Sequence, residues 1–326
     1  MSYDFAPFAE EHVEEAVRLL AGAYGREWLA SPHLPEWGRQ GNGRGEEFAR
    51  EHLRAAVGGP GVIAFRDGAL CGFMTESMRF EWKGQKVAGC GELYHAIGAT
   101  DRPTLHRLLY RELARQWVVD GRHLHVVGHL AHDAALREGL FQLGFGAILS
   151  EELRGVDPPG SEIESETEVA VEIVDDPDLH DLVELQTEHR RYYRQSPIFL
   201  IKDESPDSVL AELRRSADRG DRMFAGIAGG RVVGLFVVGA SAAEGEGELL
   251  RETNTAQVRS AFVRPESRGQ GLGAALLERS VAWGREQGFD RLFVEHETAN
   301  IPGSAFWGRY FEPFVFYSMR YVDTGL

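Results

Sequence analysis

Apolar residues recur along the first half of the chain with two periods. Val13, Ala16, Val17 and Leu20 are spaced i, i+3, i+4, i+7, which predicts an amphipathic helix. Residues 62–65 and 70–75 are short apolar runs around Arg66-Asp67-Gly68-Ala69, and predict two strands joined by a turn. A strand over 93–97, a helix over about 103–119, a strand over 123–127 and a helix over 134–143 follow.

The second half repeats this order. A strand over 170–174 and a helix over 179–190 come first. Ser205, Pro206 and Asp207 then mark a helix start: a hydroxyl to cap it, a proline at its first position and an acid in its first turn. Strands over 223–228 and 232–238 flank Gly229-Gly230-Arg231, a hairpin signal. A strand over 257–263, a helix over 272–287, a strand over 291–297, a short aromatic helix around Ala305-Phe306-Trp307 and a last strand over 314–321 complete the half. Between the halves, residues 155–168 are rich in Pro, Gly and acids with little to bury, and read as a linker. The expected organisation is two tandem domains, 1–154 and 169–326. Each is of α/β class in the α+β sense, with a mostly antiparallel mixed sheet flanked by helices.

Arg268-Gly269-Gln270-Gly271-Leu272-Gly273-Ala274 lies between a strand and a helix of the second half. Three alternate glycines let backbone N–H groups turn inward without Cβ obstruction. The helix behind them aims its unpaired amides and positive dipole end at the same point. Such a loop cradles a phosphate or pyrophosphate, and Arg268 adds a permanent positive charge. Gly269, Gly271 and Ala274 also fit the dinucleotide fingerprint, and Glu295 lies about 20 residues on, where that fold keeps its ribose-binding acid. Context argues against it. Pro265 and four neighbours separate the strand from the glycines, and only about fifty residues follow, too few for a doubly wound sheet. No Gly-Lys-Ser/Thr follows, which excludes a P-loop.

The segment resembles the coenzyme A loop of the GCN5-related N-acetyltransferase (GNAT) family. That family's Q/R-x-x-G-x-G/A is matched by Arg268, Gly271 and Gly273, and the order of elements from about residue 169 to 323 is also the family's. The N-terminal half resembles it in element order and in Leu143-Gly144-Phe145, a family ending. Its loop, Gly98-Ala99-Thr100-Asp101-Arg102-Pro103, lacks the glycines and adds an acid, which points to a degenerate domain without coenzyme.

The resemblance implies acetyl-CoA as co-substrate and acetyl transfer to a primary amine by direct attack. It places main-chain groups of Phe262 and Val263 on the pantetheine arm, with the Val263 N–H at the thioester oxyanion. Arg268, Gly269, Gln270, Gly271, Leu272, Gly273 and Ala274 would hold the pyrophosphate, and Asn300 would contact the thiol end. The acceptor pocket falls around residues 188–194 and 196–201. An amine must lose a proton to attack; Glu295 is the first candidate base, with Glu297 beside it. The family's tyrosine acid is replaced here by Trp307, leaving Tyr310, one helical turn on, as the candidate acid and Tyr192 and Tyr193 as others. A silent acyl-CoA sensor is the alternative, and a dinucleotide oxidoreductase a distant one.

The formal net charge of −16 would repel a nucleic-acid backbone and makes a locally basic pocket conspicuous. No apolar run reaches membrane-spanning length, so no membrane partner is expected; the acceptor is a small amine or a peptide, and an oligomer is possible. Two cysteines, Cys71 and Cys90, suit a reducing cytoplasm. His123, His125, His129 and His132 cluster, but their spacing matches no recognised zinc pattern, and no metal is expected.

Overall fold

The computed structural model describes residues 3–36, 43–98, 102–157, 171–241, 247–250 and 254–325. Most of the expected linker, from residue 158 onward, and positions 99–101 of the N-terminal loop lie outside them. The chain forms two compact units, Met1–Ser150 with Pro313–Leu326, and Glu151–Glu312.

In the first unit, β1 (Asp4–Pro7), β2 (Gly61–Arg66), β3 (Ala69–Thr75) and β6 (His95–Ile97) form an antiparallel sheet in that order. A second set runs β4 (Met78–Trp82), β5 (Gln85–Cys90), β7 (Leu124–Leu130) and β14 (Glu312–Tyr321), with β5 and β7 parallel. Helix α1 (Val13–Ala30) buries the predicted stripe of Val13, Ala16, Val17 and Leu20. Helix α3 (Arg102–Val119) packs Leu105, Leu109, Leu113 and Trp117 into the core with Met74, Val127 and Leu140 of α4 (Ala134–Gln142). The Asp133 carboxylate caps α4 by accepting from Leu136 N–H at 3.0 Å.

Helix α2 (Gly43–Ala55) and the hairpin of β4 and β5 were not anticipated by the apolar pattern. Lys83 and Gly84 both have positive φ, the geometry of a tight hairpin turn, although Lys-Gly is a weaker signal than Asn-Gly.

In the second unit the sheet runs β9 (Glu172–Asp175), β10 (Arg222–Ala228), β11 (Arg231–Ala240), β12 (Thr255–Val263) and β13 (Arg291–Glu297). Helices α5 (Leu179–Tyr192) and α6 (Pro206–Asp218) bury Leu182, Leu185, Val209 and Leu213 against Leu235, Val237 and Phe262. Helix α7 (Leu272–Glu286) packs Leu272, Leu276 and Val281 with Phe236, Val258 and Leu292. Ser205 caps α6 with Pro206 at its first turn, as its sequence requires.

The expected domain boundaries need two corrections. The last strand, expected in the C-terminal domain, pairs instead with β7 of the first unit, from Val315↔Leu130 to Tyr321↔Leu124. Its side chains find their partners there: Tyr317 Oη donates to Glu92 at 3.1 Å, and Ser318 Oγ lies 3.3 Å from His129 Nε2. The supposed start of the linker is structured as well. Strand β8 (Gly146–Gly155) passes from the first unit into the second, and Val156 is buried with its N–H on Asp290 O at 3.1 Å.

Three of the four clustered histidines, His125, His129 and His132, are held by hydrogen bonds within the fold. His125 bonds Tyr110 Oη at 2.7 Å and Arg122 O at 3.0 Å, and His132 Nδ1 bonds Glu27 at 2.8 Å. His95 Nε2 reaches Gly128 O at 2.8 Å, and both ring nitrogens of buried His106 lack a partner among the described residues. Burial lowers the ionisation of all four core histidines, His95, His106, His125 and His129, the last two to about 4. The unfolded chain binds these protons near pH 6.5, whereas in the folded chain all four sites resist them, His125 and His129 until about pH 4. Stability therefore falls as pH drops through that window. Calorimetry should show a Tm that declines from pH 6.5 toward 4. His106→Leu should weaken that decline while keeping the pH 7 Tm, because it removes a buried ring with no hydrogen-bond partner; an unchanged slope would refute the assignment.

Candidate active site

Strand β12 carries the site. It runs antiparallel to β11 up to Val263↔Gly234, with an irregularity at Val237/Val238 that leaves Arg259 as the extra residue. Its parallel pairing with β13 extends only from Thr255↔Arg291 to Val258↔Val294. Beyond that point the two strands run on to Val263 and Glu297 unpaired. A bulge bends its strand and interrupts pairing, so Arg259 marks where the strands part.

The register decides which backbone groups face the gap. Arg264 N–H donates to Val233 O at 2.9 Å, which makes Val263–Gly234 a non-hydrogen-bonded pair. The main-chain groups of Val263, and of Ala261 two residues back, point away from β11 into the gap. Those of Phe262 face β11, so its main-chain groups do not open into the gap as expected. The Phe262 ring stacks on His189 of α5 at 4.9 Å and 19°.

Beyond β12, Gly269 (φ 75°) and Gly271 (φ 80°) take left-handed conformations that a side chain would strain. The first backbone bond of α7 joins Ala275 N–H to Gly271 O at 3.0 Å. The N–H groups of Leu272, Gly273 and Ala274 thus have no partner within the helix. A Cβ on Gly273 would sit 3.1 Å from Phe306, so the glycine lets α8 (Ile301–Trp307) rest against this turn. The Leu272 side chain is 2 % exposed and seats against Gly226 and Gly234, leaving only its amide for a ligand. Gln270 points elsewhere, its Nε2 donating to Glu266 O at 3.3 Å.

A cavity of about 470 Å³ opens between the gap and this loop. Val263, Arg268, Gly269, Gly271, Gly273, Ala274, Asn300 and Tyr310 line it, as do Tyr192, Phe306, Trp307 and Arg309. Two arginines and no carboxylate are among its described lining residues. Arg268 lies across the mouth, its Nε donating to Val263 O at 3.0 Å and its guanidinium 5.0 Å from the Tyr192 ring. Asn300 caps α8 by accepting from Gly303 N–H at 3.3 Å, and accepts from Tyr192 Oη at 3.1 Å.

A second cavity of about 420 Å³ lies toward α5 and α6 and is lined by Tyr193, Lys202, Asp203, Ser260 and Glu295. The two cavities share His189, Ala261, Asn300 and Trp307, so a group in one can meet a group in the other there. Of the expected catalytic residues, Val263 and Tyr310 line the first cavity and Glu295 the second. Tyr310 is not among the shared residues; Trp307 is.

Within the stretch 188–194, the fold selects His189, Arg190 and Tyr193 for the second cavity. Arg191 and Arg194 turn instead to Glu204. His189 is the residue that sequence reasoning did not single out. Its spacing from Leu182, Leu185 and Gln186 places it on the buried face of α5. It lies 3.4 Å from Ser260 Oγ, and burial, then the charges of Lys202, Arg190 and Arg268, lower its ionisation to about 3. Tyr193 moves the other way: burial, then Glu297 and Glu295, keep its phenol protonated.

Residues 181–311 match the acetyltransferase (GNAT) family. No curated protein sequence matches the chain. A GCN5-related N-acetyltransferase from Sphaerobacter thermophilus is 13% identical, with a TM-score of 0.56 over 98% of this chain and 95% of that one. The glucosamine N-acetyltransferase region of a fungal multi-domain GH3 β-N-acetylglucosaminidase is 11% identical, with a TM-score of 0.53 over 98% of this chain and 38% of that one. At these identities the likeness is one of fold. A tandem GNAT protein from the clavulanic acid biosynthesis pathway is 14% identical, with a TM-score of 0.47 over 98% of both chains. The family match is thus confined to residues 181–311, while the fold of such acetyltransferases extends along nearly the whole chain.

Proposed function

We propose that the second unit is an N-acetyltransferase moving acetyl from acetyl-CoA to a primary amine by direct attack. The observation that carries this reading is the first cavity: free amides at the start of α7 and two arginines, with no acid among the described residues lining it, in a chain of net charge −16. Such a lining suits a diphosphate. The N–H groups of Leu272, Gly273 and Ala274 hold the pyrophosphate together with Gly269, Gly271 and Arg268. Ala261 and Val263 offer main-chain groups to the pantetheine arm, which lies where β13 would otherwise pair.

The acceptor enters through the second cavity. Glu295 takes the ammonium proton, freeing the nitrogen lone pair to attack the thioester carbon at the shared residues. The Val263 N–H donates to the carbonyl oxygen as negative charge develops there. Tyr310 protonates the thiolate as the C–S bond breaks and is reprotonated by the second proton that the amine nitrogen sheds, so the products are an acetamide, free coenzyme A and the one proton on Glu295, which passes to solvent. Tyr193, held protonated between Glu297 and Glu295, is a poor proton donor. We assign no coenzyme to the first unit, because His95 of β6 bridges to Gly128 of β7 where a pantetheine arm would need space. The two unpaired cysteines support a cytoplasmic setting.

Isothermal titration with acetyl-CoA should give one site per chain, abolished by Gly271→Glu; two sites would overturn the silent first unit, and none would overturn the reading. Glu295→Gln should lower kcat about 100-fold with KM for acetyl-CoA unchanged, the usual loss for a general base. Tyr310→Phe should lower kcat with coenzyme affinity intact. If Tyr192→Phe does so instead, the proton returns from Tyr192. Tight binding without turnover of any amine would favour the sensor, the reading that draws on Trp307.

A further inference from the structure

The second cavity carries charges of both signs, and they are not equally occupied. Arg190 is bound by Asp203 O and Glu212, with Ser208 Oγ at 3.3 Å. Arg259 donates to Asp221 at 3.1 Å and Gln257 at 2.9 Å, and to Ala240 O. Both guanidiniums are thereby neutralised within the fold. Lys202 differs. Its ammonium lies 3.5 Å from the Tyr193 ring centroid, and the nearest carboxylate oxygen paired with it among the described residues is Glu297 Oε1, at 3.8 Å. That is the outer limit of an ion pair, so Lys202 is the cation of this cavity most available to a ligand.

The opposite pole is close by. Glu295 lines the same cavity, and with Glu297 it acts on the Tyr193 phenol. Lys202 in turn is one of the charges that keep the His189 imidazole neutral. A simple cationic amine entering here would be drawn to Glu295 and repelled by Lys202. An amine that also carries an anion satisfies both.

Resting on the transferase reading above, we propose that the acceptor is a small primary amine bearing a carboxylate, an amino-acid-like zwitterion, with Lys202 binding the carboxylate and Glu295 facing the amine. The space of about 420 Å³ suits a molecule of that size, and its walls, from Gln186 to Ser260 and Asn300, are polar. The reaction stays balanced: the amine nitrogen bonds the acetyl carbon, the C–S bond breaks, and of the two protons the ammonium sheds, one goes to the thiol and the other, through Glu295, to solvent. The carboxylate is a handle and is unchanged.

The test is thiol release from acetyl-CoA by the full chain, with three probe sets: free amino acids, their amides, and diamines such as putrescine. The free acids should show kcat/KM at least tenfold above the other two sets. Lys202→Met should raise KM for the acids at least tenfold, leave the amides unchanged, and keep the affinity for acetyl-CoA. Lys202→Arg, which keeps the charge, should restore most of the preference and guards against a folding defect. Turnover that is equal or better with amides or diamines would overturn the proposal while leaving the transferase reading intact. So would a loss in Lys202→Met shared by all three sets. Failure to bind acetyl-CoA at all would remove the transferase reading, and this inference with it.

Discussion

The site depends on one broken contact between strands. Had β12 and β13 paired to their ends, Val263 and Ala261 would have spent their outward amides and carbonyls on a neighbour. The bulge at Arg259 ends that ladder at Val258–Val294. The amides of Ala261 and Val263 and the Ala261 carbonyl are left facing the gap, the Val263 carbonyl being taken by Arg268 Nε. An unpaired buried backbone group costs on the order of 1–3 kcal/mol. A ligand that pairs with these groups would recover that cost.

What fixes the height of the free amides at the start of α7 is apolar packing. Gly226 and Gly234 leave hollows in the sheet that the Leu272 side chain enters. The first residue of α7 is thereby pinned against the strands, and the preceding glycines must take positive φ to reach it. Charge and shape cooperate at the mouth, where Arg268 spans from Val263 O to the face of Tyr192. Tyr192 in turn holds Asn300, so α5, β12 and α8 are tied at one corner.

The second unit was largely legible in the sequence because its signals are local. The Ser205-Pro206 cap, the Gly229-Gly230 turn and the glycine loop each act within a few residues. The first unit was less so. The β4–β5 hairpin is held by a Lys-Gly turn, and β4 alternates little, its residues being mostly exposed. The direction in which Phe262 and Val263 present their amides depends on ladder register, which no residue identity reports. His189 stood in a stretch already placed near the acceptor, yet its position at the meeting of two cavities is set by strands far along the chain. The last strand went astray for the same reason: nothing within 314–321 says whether its partner is β13 or β7.

That strand has a consequence for how the protein is made. The first unit is built from two stretches with the whole of the second unit between them. During synthesis β7 waits for β14 until everything from Glu151 to Glu312 has been translated. If the second unit folds on its own in that interval, its ends are drawn together and the closing loop shortens, so the entropy cost of β14 docking falls. The second unit would then act as a scaffold in time for the first, which inverts the order in which the chain presents them.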